Sequence, residues 1–73
     1  MTGKVSVVIE QDQYGCYAWC PELKGCQSEG RTIEEALVHI REAIALFLDT
    51  LTDDERSAAL SQEILTTAVE VHA

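Results

Sequence analysis

Three groups of side chains could do chemistry here: the thiols Cys16, Cys20 and Cys26, the carboxylates Glu10, Glu34 and Glu35, and the imidazoles His39 and His72. The thiols come first. A strand rises about 3.3 Å per residue, so Cys16 and Cys20 on one strand stand roughly 13 Å apart. That separation excludes a disulfide between them and disfavours one shared zinc ion. Cys20 and Cys26 flank a tight turn and could come close. An odd number of cysteines in a chain without export signals reads as free structural thiols in a reducing compartment. The carboxylates could serve only if they converged on divalent metal. Glu35 is explained by a helix cap and Glu34 by the helix dipole, and Glu10 sits on a strand. His39 lies between Glu35 and Glu42 on a helix flank, and neither histidine has a Cys or Ser partner in sequence. Surface positions account for both. No catalytic residue, metal or cofactor is expected.

The aromatic residues point elsewhere. In the run 16–20, Cys16, Ala18 and Cys20 are small and Tyr17 and Trp19 are large. If the small side faces a helix, Tyr17 and Trp19 share the opposite face, with Val8 and Glu10 on the neighbouring strand. Two large aromatics beside an aliphatic on an uncovered face make a contact surface. The inverted register would bury them as core instead. Val8, Glu10, Tyr17 and Trp19 are therefore the candidate partner-binding residues.

Thirteen acids against five bases give a net charge of −8. Phosphate binding needs clustered Lys and Arg, so free nucleic acid is not an expected partner. A basic protein is, although solubility alone would also explain the charge. No apolar run is long enough to cross a membrane, and Met1-Thr-Gly-Lys leads straight into a strand-like run with no leader pattern. A cytoplasmic protein is the expectation. The length of 73 residues fits a single domain over 1–73 of marginal stability, which a dimer would relieve.

The elements that position these residues follow from period and punctuation. Residues 4–11 alternate as a half-buried strand, with Val5, Val7 and Ile9 on one face. Asp12 to Gly15 is a turn, and 16–20 is a second strand ended by Pro21. Residues 25–29 read as a short third strand. Thr32-x-x-Glu35 is a capping box that opens a helix over 32–51. Its stripe is Ile33, Ala36, Leu37, Ile40, Ile44, Phe47, Leu48 and Leu51. Val38, Ala45 and Leu46 lie at the stripe's margins and are expected to widen the buried face. Thr52-Asp-Asp-Glu55 repeats the cap before a short helical turn through Leu60. Residues 64–71 alternate again and read as a last strand, most simply beside the first. The fold class is α+β, in the order β-β-β-α-β, a small and mostly antiparallel sheet with one long helix on one face.

The combination Tyr14-Gly15, Pro21-Glu22-Leu23, Gly25-Cys26, Gly30-x-Thr32 and Glu34-Glu35-Ala36 resembles the HicB-like antitoxin family. The resemblance covers most of the chain and is densest over 15–37. It implies a truncated RNase H-like unit that binds and silences a small HicA-type ribonuclease toxin and does no chemistry itself. The RNase H likeness invites a metal-dependent nuclease reading through Glu10 with Glu34 or Glu35, but surface acids explain these residues better. A second reading is an orphan HicB-like protein that works as a homo-oligomer, a homodimer or larger, with no toxin. There are two departures from the family pattern. Many such antitoxins carry a C-terminal DNA-binding domain, for which the residues after the helix are too few. Operator binding is accordingly not expected of this chain, which reads as a short stand-alone domain. The family usually reads Leu-Pro-Gly where this chain has Leu23-Lys24-Gly25, so Lys24 gives up rigidity while Gly25 keeps the turn.

Overall fold

The computed structural model describes residues 3–73. Its elements are β1 (Val8–Asp12), β2 (Gly15–Trp19), β3 (Gln27–Gly30), α1 (Ile33–Asp49) and α2 (Asp53–Leu60). The strands form an antiparallel sheet in chain order, β1-β2-β3. The expected α+β class holds, with α1 laid across one face.

Each connection has a local cause. Asp12 pairs with Gly15 across the first turn, and the Asp12 carboxylate accepts the Tyr14 N–H at 2.8 Å. Gly15 takes a φ of 145°, which only glycine adopts without strain. After Pro21 the chain folds back on itself. The Cys20 N–H donates to the Cys26 carbonyl at 3.1 Å, and the Cys26 N–H to that of Leu23 at 2.9 Å. Gly25 stands at φ 88°, so the glycine after Lys24 meets the turn's requirement without the proline. That turn delays the third strand to Gln27.

The first strand begins at Val8, later than the expected residue 4. β2 ends at Trp19 and Pro21 follows, so residues 4–7 have no ladder to join. They are held differently. The Ser6 N–H donates to the Glu22 carboxylate at 2.7 Å, and Glu22 is itself buried. Val5 and Val7 remain half-buried against the core.

The core lies between sheet and helix. Cys16, Ala18 and Cys20 from β2 and its end meet Ala36 and Ile40 from α1, with Leu23 and Cys26 from the turn and Ala59 from α2. The small residues of β2 face the helix, as their size alternation predicts. Ile9, Leu37, Ile44, Phe47, Leu48 and Leu51 close the margins. Ile33, expected in the stripe, is exposed at the helix start. Val38, Ala45 and Leu46 are also exposed, which corrects the wider buried face expected for them. The sheet is only three strands wide and covers a narrower sector of α1 than the apolar residues occupy.

Both helices begin on a threonine. Thr52 and Glu55 form the full reciprocal box: each side chain takes the other residue's N–H, at 3.2 and 2.8 Å. Thr32 caps α1 by accepting the Glu35 N–H at 3.1 Å, but the Glu35 carboxylate reaches the N–H of Arg31 instead of Thr32. Arg56 then locks the two helices together. Its guanidinium donates to the carbonyl of Leu48 in the last turn of α1 at 3.2 Å and to that of Leu51 just beyond the helix at 2.9 Å.

The expected last strand is not formed. Residues 62–73 carry no regular structure and are exposed throughout. Their period of two gives them a strand's pattern, but a strand exists only against a partner edge, and the chain does not bring them to one.

Candidate partner-binding face

Among the described residues nothing covers the sheet face away from α1, and the ladder register assembles it. Val8 stands opposite Trp19, which stands opposite Gln27. One row along, Glu10 stands opposite Tyr17, which stands opposite Glu29. Val8, Glu10, Tyr17 and Trp19 therefore lie together on the open face. The aromatic pair is not buried as core, as the inverted register would require: Tyr17 is 38% exposed and Trp19 half-buried. Their ring centroids are 5.6 Å apart at an interplanar angle of 34°, a tilted contact that holds both rings in place. The Tyr17 hydroxyl donates to the side-chain oxygen of Gln27. The result is a rigid apolar centre with acids on its flank.

Gln27 and Glu29 were not singled out from the sequence. The signal was present in the period of two in β3, which puts these residues on the same face as Tyr17 and Trp19 once the strand starts at Gln27.

The acids Glu10, Asp12, Glu29 and Glu35 line one depression of about 570 Å³ at the β1–β3 end of the molecule. Arg31 and His39 share it. Glu34, the other carboxylate considered for metal, does not line it. Among the described residues, no three His, Cys, Asp or Glu side chains converge as a metal ligand set. His39 is not a free surface histidine. It is half-buried, and its Nδ1 lies 2.7 Å from the Glu29 carbonyl oxygen, a contact that requires Nδ1 to carry the proton. It thus ties α1 to β3. His72 lies in the exposed tail.

The three thiols are free and buried. Cys20 and Cys26 are neighbours across the turn, as their spacing allowed. Burial pushes both thiols above the usual range, and for Cys20 the nearby Glu22 carboxylate adds to the effect. Such thiols are poor nucleophiles and suit a packed core. Among the described residues, no helix is long and apolar enough to cross a membrane.

A three-stranded meander backed by one long helix, with an aromatic pair on the other side of the sheet, makes a small α+β domain. The chain belongs to the HicB-like antitoxin family of bacterial toxin–antitoxin systems, whose pattern it matches over residues 5–71. It is 40% identical over 67 residues to a UPF0150 protein of Helicobacter pylori, covering 92% of this chain and 93% of that one. A UPF0150 protein of Synechocystis is 49% identical over 47 residues, covering 63% of this chain and 60% of the relative. One from Archaeoglobus fulgidus is 29% identical over 63 residues, covering 85% and 91%. No solved structure matches the chain.

Proposed function

We propose that this chain is an antitoxin-type module that silences a small basic ribonuclease of the HicA type by covering it. Membership of the HicB-like antitoxin family supports a toxin partner. The observation that carries the choice of surface is the open sheet face, where Tyr17 and Trp19 stack between strands that carry Glu10 and Glu29. Aromatic residues held rigid on an uncovered face have the makeup of an interface anchor. The carboxylates around them favour a basic partner and steer its approach. Two copies of this face would bring like charges together, which disfavours pairing it with itself. Inhibition then needs no chemistry from this chain and no contact with nucleic acid: the toxin's catalytic surface is occluded. Three free buried thiols fit a reducing cytoplasm.

Self-association belongs to the same proposal, through a surface other than the open face. The exposed apolar residues of the 62–73 tail support it. It would also be the working state of an orphan relative without a toxin.

The test is co-expression with a HicA-type toxin, taken from beside the gene where a small basic open reading frame lies there. Restored growth and co-purification are expected. Failure of both removes the toxin reading.

A further inference from the structure

Two features of the structure fit each other and are not joined within the chain. The first is the tail. Residues 62–73 run outward from the end of α2, and Leu65, Val69 and Val71 are 91%, 77% and 80% exposed. The period of two sets Leu65, Thr67, Val69 and Val71 on one side. The tail stretches the molecule to 44 Å in its longest dimension, with a radius of gyration of 13.9 Å. A compact chain of this length would have a radius of about 11 Å.

The second feature is the outer edge of β1, whose only ladder partner among the described residues is β2. The alternation that sends the Ser6 N–H inward to Glu22 turns the main-chain groups of Val7, Ile9 and Gln11 outward, where no strand among the described residues pairs with them. Beside this edge, on the helix side, runs a groove of about 410 Å³ between Val5 and the side chains of Ile44, Leu48 and Leu60. Neither a proline nor a bulge protects the edge, as exposed edges usually require.

We infer that residues 64–71 of one copy add as a fourth strand to the β1 edge of a second copy, and that the second returns the same strand to the first. Leu65, Val69 and Val71 then fill the groove beside Val5, while Ile64, Thr66 and Ala68 extend the open face. The lengths agree: eight residues span about 26 Å, matching residues 5–12 one for one. The occupant is a second copy because the chain carries its tail away from its own edge. Each copy both gives and receives the same element, so the pair closes on a two-fold axis and leaves neither β1 edge free. The inference deepens the self-association proposed above and rests on it.

The experiment uses the full chain. Sedimentation should show a dimer that is favoured by salt, since each copy carries −8. In a mixture of isotope-labelled and unlabelled chains, filtered NOE spectra should connect the amides of 65–71 in one copy to those of 5–11 in the other. The double variant Leu65→Asp, Val69→Asp should sediment as a monomer with the helical circular dichroism of the wild type. A dimer without these NOEs keeps the self-association and overturns the strand exchange. NOEs only within one chain likewise overturn the strand exchange, and a monomer at all concentrations overturns both. The NOE result on the wild type decides the question even if the double variant does not fold.

Discussion

Glu10 and Glu29 flank the same side chain from opposite strands: each is the direct cross-strand neighbour of Tyr17. Neither has a salt-bridge partner among the described residues. Their charge is therefore available to an approaching molecule. Replacing both by glutamine should slow association with a basic toxin and flatten its dependence on salt. Stability should stay within about 0.5 kcal/mol of the wild type, as for other surface changes. Stopped-flow mixing across a salt series checks this. An unchanged rate would place the toxin elsewhere.

Trp19→Ala should weaken the complex by about 2 kcal/mol or more while leaving the fold largely intact. Calorimetric titration against the toxin and a thermal melt of the free chain should be run together. A variant that unfolds instead would show that Trp19 serves the core.

Gly30 lies against the backbone of the first turn of α1. A Cβ there would lie 2.6 Å from the Ala36 backbone nitrogen and 2.9 Å from the Glu35 carbonyl carbon, and backbone atoms cannot step aside cheaply. Gly30→Ala should cost about 1–3 kcal/mol, the usual cost of overpacking. Urea unfolding reads this directly. A variant as stable as the wild type would mean that α1 can slide on the sheet.

Glu22 pins the segment before β1 through the Ser6 N–H. Hydrogen bonds to charged groups contribute about 1.5–3 kcal/mol, and Glu22→Gln keeps the shape but loses the charge. Hydrogen exchange at the Ser6 amide should accelerate more than at amides of the β2–β3 ladder. Uniform acceleration would make the effect global instead of local.

The raised thiols of Cys20 and Cys26 predict a pH trend. The unfolded chain releases these protons near pH 8.5, whereas the folded chain holds them to higher pH. Between those limits the unfolded state binds fewer protons, so stability falls as pH rises. Their contribution is complete below about pH 8 and is lost through the alkaline range. Denaturation midpoints from pH 7 to 10 test it, and a disulfide reagent should label neither thiol at pH 7 until the protein unfolds.

The sequence made the two sides of β2 legible because their residues differ so much in size. Cys16, Ala18 and Cys20 fit under a helix where Tyr17 and Trp19 do not. Thr32 and Thr52 announced the helix starts, since a cap is a local contract between residues three apart. Tertiary context decided the rest. The width of the sheet, not the helix's own periodicity, left Val38 and Leu46 in solvent. Glu22 in a turn looks like a surface acid until the Ser6 amide is brought to it across sixteen positions. An alternating run such as 64–71 says that a strand can form but not on which edge.

The order β1-β2-β3 followed directly by α1 also sets a timetable for folding. Every pairing in the sheet joins consecutive strands, and the helix packs on the sheet it has just left. Such local connections close cheaply and assemble fast. The body should then form in a rapid unimolecular phase. Strand exchange between copies would follow as a separate, slower step whose rate rises with protein concentration. Freshly made chains at low abundance would live for a time as folded, unpaired modules with Tyr17 and Trp19 already in place on the open face.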